Sequence, residues 1–250
     1  MKIRLRKFLF CSIFFLNMYC FSQSHTVSAT YKMFLSFDEE IMKVDKKYGY
    51  LQNAIDVSQK MRYELTFKDK ESNFHQVQNS NLDETSINTA NSFANLSKSI
   101  YTNLSKKIMI HELISDGNII NENEFIVLDS IKLKWNITSE SKMIGEYLCY
   151  KATTTKTIIK PERTVKENVT AWFCPKLPYS FGPAVYNSLP GLILELQEKN
   201  IAFVIENLNF NNKDNFITIP TAKKTISKQE YYDVIDDRFK MIEEMSKQNR

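Results

Sequence analysis

Met61-Arg62-Tyr63-Glu64-Leu65-Thr66-Phe67-Lys68 reads with a period of two: Met61, Tyr63, Leu65 and Phe67 alternate with the polar Arg62, Glu64, Thr66 and Lys68. Successive side chains of a strand point to opposite faces, so this spacing alone makes one apolar and one wet face, the signature of a half-buried antiparallel sheet. The alternation returns at Ile131, Leu133, Trp135 and Ile137 against Lys132, Lys134 and Asn136. Working outward, further strands are expected at Val27 to Phe37, Ile108 to Ile114, Phe125 to Leu128, Glu146 to Thr154, Val169 to Phe173, Leu192 to Leu196, Ile201 to Leu208 and Phe216 to Ile219. Asp116-Gly117 marks a hairpin turn. Successive strands with short connections make a meander. The expected fold is mostly β (α+β): a single curved antiparallel sheet or half-barrel meander with a C-terminal capping helix.

Two segments break the rhythm. Ile41, Val44, Tyr48, Leu51 and Ile55 fall three or four apart between Asp38 and Ser58, which predicts an amphipathic helix weakened by Gly49. From Glu71 to Lys107 the chain is rich in Asn and Ser, and Phe93, Leu96, Ile100 and Leu104 predict a loop followed by a short helix. At the C-terminus Ser227 and Glu230 form a capping box, Ile226 and Tyr231 can staple it, and Tyr231, Ile235, Phe239 and Ile242 make one stripe. A helix from about Lys228 to Ser246 follows.

A chain of 250 residues with 43% hydrophobic and 25% charged positions is globular, not disordered, collagenous or coiled-coil. Five glycines and no glycine-rich run argue against a phosphate cradle. The formal charge of +4 comes from Lys2, Arg4, Arg6 and Lys7; with those set aside, the 33 Lys and Arg fall level with the 29 Asp and Glu. No electrostatic case for a nucleic-acid partner remains. Those four cations stand before an apolar stretch, Phe8 to Phe21, in the order of a secretory signal peptide. Cys20 and Ser22 are small residues at −3 and −1, so residues 1–22 are expected to be removed and 23–250 to form a single β-rich domain, exported to the periplasm or the outer membrane and without a transmembrane span. Tyr19 before Cys20 and Phe10 before Cys11 speak against lipidation.

Cleavage leaves Cys149 and Cys174. In an exported chain an even pair is expected to form a disulfide. A buried unpaired couple is the second reading, and a nucleophilic Cys174 served by His75 or His111 the third.

Pro175, Pro178, Pro183 and Pro190 crowd one short stretch with Gly182. Proline fixes φ and removes a donor, so the stretch is a stiff loop, not a central strand. Phe173, Tyr179, Phe181 and Tyr186 interleave with the prolines. Such a loop is either a binding rim, with Tyr179, Phe181, Tyr186, Leu189 and Pro190 as its contact residues, or a structural crossover whose aromatics plug the core.

Ser188-Leu189-Pro190-Gly191-Leu192-Ile193, preceded by Gly182-Pro183, resembles the signature of the GLPGLI family of exported Bacteroidetes proteins. Trp135-Asn136-Ile137-Thr138 with Glu140, Ile144-Gly145-Glu146-Tyr147 before Cys149, Lys151-Ala152 and Ala171-Trp172-Phe173 occur in the family's order. Ser188 departs from the signature's first glycine: if that position needs φ > 0, the serine adopts it at a cost or the turn differs. The resemblance implies an exported, β-rich protein, often encoded near outer-membrane TonB-dependent receptors. It implies no catalytic residues. Asp129-Ser130-Ile131 resembles the short acceptor of periplasmic O-glycosylation, and a strand-edge turn explains it equally well.

No His-Glu-x-x-His, Gly-x-Ser-x-Gly, Walker, calcium-loop or Cys-x-x-Cys pattern is present. No cofactor or metal is expected. The leading functional expectation is a non-catalytic periplasmic binding or accessory protein that presents the proline loop to a partner. Two alternatives stand beside it: a carrier whose concave sheet wraps an apolar ligand such as a lipid, and a hydrolase using Cys174 or the carboxylates of Glu195 and Glu206.

Overall fold

The computed structural model describes residues 26–45, 49–115, 117, 119–159, 164–210 and 216–248. The leader expected at residues 1–22 and Asp116 of the expected turn lie outside them. In chain order the elements are β1 (Val27–Leu35), α1 (Glu39–Asp45), α2 (Tyr50–Lys60), β2 (Arg62–Lys68), β3 (Glu71–Val77), α3 (Glu84–Phe93), β4 (Ser99–Asn103), β5 (Ile108–Glu112), β6 (Phe125–Ser130), β7 (Asn136–Ile144), β8 (Tyr147–Ile159), β9 (Thr164–Cys174), β10 (Leu192–Glu198), β11 (Ile201–Asn209), β12 (Lys224–Ser227) and α4 (Lys228–Gln248).

The strands make one open sheet of twelve in the order β12-β6-β5-β4-β3-β2-β1-β11-β10-β9-β8-β7. Two meanders, β1 to β6 and β7 to β11, are joined where β1 pairs with β11. All pairings are antiparallel except β12 beside β6, which is parallel and makes the sheet mixed. The sheet cannot be flat. Ten strand spacings of about 4.8 Å would separate β6 from β7 by roughly 48 Å, whereas the six residue steps from Ser130 to Asn136 reach at most about 22 Å. The connection therefore draws the two ends toward each other without closing a barrel.

Alternation sets the faces. Ala29, Tyr31, Met33, Tyr63, Leu65 and Phe67 are 0 to 1% exposed and point to one side, while Lys32, Arg62 and Glu64 point to the other. Tyr63 stacks on Phe74 at 5.4 Å and meets Phe203 edge-on at 5.6 Å. On this inner face α2 lies along β1, buries Ala54 and Val57, and caps the Leu35 amide with Ser58 Oγ at 3.2 Å. α3 is capped by Asp83 and delivers Asn91, whose Oδ1 accepts from Tyr63 Oη at 2.5 Å.

Several expectations are corrected. Glu71 to Lys107 holds two strands, β3 and β4, around α3, and Ile100 is a strand residue facing Phe74. Residues 131–135 alternate in burial but belong to no strand: they form the crossover, with Ile131, Leu133 and Trp135 packed on the core. Phe216 to Ile219 is irregular, and Phe216 is 84% exposed. The helix expected from Asp38 to Ser58 is two helices, α1 and α2, and Gly49, with φ 67°, stands directly before α2. The C-terminal helix does form behind its capping box: Glu230 N donates to Ser227 Oγ at 3.2 Å and Ser227 N to Glu230 Oε2 at 2.7 Å. Its packing is confined to its first turns, against Phe125, Val127 and Ile226, so Phe239 and Ile242 of the expected stripe are 54% and 44% exposed. Among the described residues no helix is long and apolar enough to cross a membrane.

Candidate functional site

The proline loop runs from β9 to β10 across the inner face. Its aromatics point inward: Phe181 and Tyr186 are 2% exposed and Leu189 1%, while Tyr179 is half-buried and Pro190 is exposed. Phe67 of β2 receives Tyr179 at 4.8 Å and Phe181 at 5.6 Å, and Trp135 of the crossover meets Tyr186 at 6.1 Å. The loop bonds to its own base: Leu192 N donates to Leu177 O at 2.9 Å, Ile193 N to Phe181 O at 3.0 Å and Ser188 N to Ser180 O at 2.9 Å. A bulge between Ile193 and Glu195 frees the Ile193 carbonyl, which accepts Tyr31 Oη at 2.6 Å. Burial raises that tyrosine's pKa. The reason for glycine in the signature is close approach: a Cβ on Gly191 would lie 2.3 Å from the Cys174 carbonyl oxygen. Ser188 has φ 71°, so it adopts the left-handed conformation in place of a glycine. Of the five residues expected as a rim, Phe181, Tyr186 and Leu189 are buried against the core, Tyr179 is half-buried and Pro190 stays at the surface.

Cys149 and Cys174 stand across from each other one step beyond Tyr150↔Phe173, where the β8–β9 ladder ends. The expected bridge is not made: both are buried free cysteines, and Cys149 Sγ donates to the Tyr147 carbonyl at 3.6 Å. Burial, then the neighbouring Cys174, push the Cys149 thiol up to about 12. Oxidation of Cys149 runs through its thiolate, which this burial suppresses. Nor does the fold join Cys174 to a histidine. His75 Nδ1 faces Asn73 Oδ1 at 3.1 Å on β3, and His111 Nδ1 faces Ser97 Oγ at 3.1 Å on β5. Glu195 accepts from Lys142 Nζ at 2.7 Å, and Glu206 takes Lys32 at 2.7 Å and Arg62 at 2.5 Å. Each carboxylate is neutralised by its own cations, not paired with the other.

Two features were not anticipated. Glu198, 7% exposed, accepts from Lys156 Nζ and from Tyr186 Oη, both at 2.5 Å. Burial and the Glu198 charge raise the Tyr186 pKa. This cluster ties the loop to the β8–β9 hairpin; its clue in the sequence was a carboxylate ending an apolar strand. Beside it, where the crossover meets the middle of the hairpin, a groove of about 720 Å³ is lined by Lys132, Lys134, Lys151, four threonines, Asn136, Asn168, Leu133 and Val169, with no acidic residue. Lys151 is held by Glu140 at 3.0 Å. Val169, on the groove wall, is the register partner of Glu198. Sequence periodicity assigns Lys132 and Lys134 to the wet face of a strand, which hides that the segment leaves the ladder and opens a gap. No group of three or more His, Cys, Asp or Glu able to hold a metal occurs among the described residues.

This arrangement is a polar groove on the edge of a β-scaffold braced from within by a proline loop. The family Porph_ging, described as a protein of unknown function, matches residues 159–195, which span β9, the loop and the start of β10. No curated protein is matched by the sequence. Among solved structures, PNGF-II in the C2 space group is similar with TM-score 0.49 at 13% identity over 86% of this chain, and PNGF-II in the P21 space group with 0.47 at 11% over 86%. The chain spans about a third of the length of those proteins, 33% and 34%.

Proposed function

We propose that the chain is an exported, non-catalytic binding or accessory protein of the GLPGLI type, whose proline loop is an internal brace and whose contact surface is the adjoining groove. One observation carries this reading: the groove is open, polar and rich in donors, and the Lys156–Glu198–Tyr186 cluster fixes its wall to the loop beneath. A site on a rigid support loses little entropy on binding. The leader read in the sequence and the resemblance to exported proteins support a partner in the cell envelope, with an outer-membrane receptor as the first to seek.

Two measurements test it. Intact mass of protein recovered from the envelope should correspond to a chain beginning at Gln23, and a full-length mass would overturn export with cleavage. Affinity capture from an envelope extract should lose its partner when Lys132→Glu and Lys134→Glu are combined, with the melting temperature unchanged because both side chains are exposed. Equal recovery by the variant and the wild type would overturn the groove as the contact surface.

A further inference from the structure

Lys132 and Lys134 stand two apart on the crossover, where exposed residues alternate with the half-buried Ile131, Leu133 and Trp135. In such an extended run their side chains share one side about 7 Å apart, the repeat of every second side chain on a strand. Neither has a carboxylate partner among the described residues, and the groove lining contains no acid to neutralise them. An uncompensated pair of cations in a walled groove favours an anionic ligand.

The backbone beside them also lacks a second strand partner among the described residues. β7 pairs with β8 only from Ile144↔Tyr147 to Asn136↔Thr153, so from Thr154 onward β8 has β9 as its one strand partner among the described residues. In an antiparallel ladder every second residue turns its N–H and C=O away from its partner, so this stretch is an open edge, and its first residues, Thr154 and Thr155, line the groove. Thr154 Oγ1 donates to the Lys134 carbonyl at 2.7 Å and keeps the crossover alongside without completing a ladder. No aromatic residue lines the groove, so it offers no stacking platform for sugar rings.

Resting on the binding reading above, we propose that the groove takes an extended acidic peptide segment of a partner protein, which adds to the free edge of β8 and sets alternate carboxylates against Lys132 and Lys134. Strand addition supplies affinity through the main chain, and the lysine spacing selects carboxylates at every second residue. A glycan or a compact phosphate would satisfy the cations but not the edge.

The test is fluorescence anisotropy on protein purified from its host, with a labelled octapeptide of alternating Glu and Val. Its Gln counterpart and a version N-methylated at alternate amides are the controls. The Glu peptide should bind, weaken as salt rises, and lose about tenfold or more in affinity to the Lys132→Glu/Lys134→Glu protein or on N-methylation. Equal binding of the Gln peptide, indifference to the double substitution, or binding of tripolyphosphate or polygalacturonate in place of the Glu peptide would each overturn it. If the Glu peptide fails while envelope capture still depends on the two lysines, the peptide assignment falls and the binding reading stands. If capture is also indifferent to them, both fall.

Discussion

Ser188 carries a φ of 71°, a region that costs an L-residue roughly 1 kcal/mol and a glycine little. Ser188→Gly is therefore expected to raise unfolding stability by up to about 1 kcal/mol, less the extra entropy that glycine gives the unfolded chain. Urea unfolding checks this, and a loss of stability would show that the serine hydroxyl, which donates to Asn187 Oδ1 at 2.7 Å, outweighs the strain. His111 makes a second residue-level case. Its Nε2 is buried without a hydrogen-bond partner among the described residues, and burial, with Lys228 next, lowers its pKa to about 4 while Asp129 opposes them. The unfolded chain binds this proton first, at its ordinary pKa of about 6.5. This contribution is complete above about pH 6.5, is lost as pH falls toward 4 and stays flat below, for a ceiling of about 3 kcal/mol. The difference in unfolding free energy between pH 7 and pH 4.5 should shrink by about 2 kcal/mol in His111→Leu. An unchanged difference would mean that His111 is accessible to protons in the fold.

At the scale of elements, α4 shows a helix made by its start. Ser227 and Glu230 satisfy each other's backbone donors, and Arg238 pairs with Glu124, just before β6, and donates to the Ile119 carbonyl. Removing the cap oxygen by Ser227→Ala should cost about 1 kcal/mol. Hydrogen exchange should show the loss in the first turns of α4 while β1 and β2 keep their protection. The cap was legible because it depends on two residues three apart, as was β2, whose pattern lies within one strand. β3 and β4 were not. Their inner positions include Ser72 and Thr102, buried at 2% and 3% among aromatics contributed by other strands, so local hydropathy carries no period there. The crossover failed the other way. Ile131, Leu133 and Trp135 have a strand's alternation because an extended chain on a core buries every second side chain, whether or not a neighbour completes its hydrogen bonds. The groove exists because that ladder is missing, and composition cannot report a missing partner.

Across the whole molecule the question is what keeps twelve strands curled when the sheet does not close. The crossover limits how far its ends can part, yet a tether alone leaves the inner face free to fill with water. The proline loop occupies that space. It leaves β9 and returns to β10, but its side chains reach β2 through Phe67 and the crossover through Trp135, so it bridges strands from both meanders. Phe181 lies at the centre of this bridge, and truncating so enclosed a ring leaves a cavity that stiff neighbours cannot fill: Gly182 is already so tight that an added Cβ would lie 2.6 Å from Ile193 Cδ1. Phe181→Ala is expected to cost about 3 to 5 kcal/mol, the range for a large buried aromatic. An aromatic on an exposed rim would cost within about 0.5 kcal/mol. Urea midpoints with an unchanged slope measure the cost, and hydrogen exchange locates it. Protection should fall in β2 as well as in β10, because the ring joins them. A loss confined to β10 would show that the loop stabilises only its own meander, and that the crossover alone holds the curl.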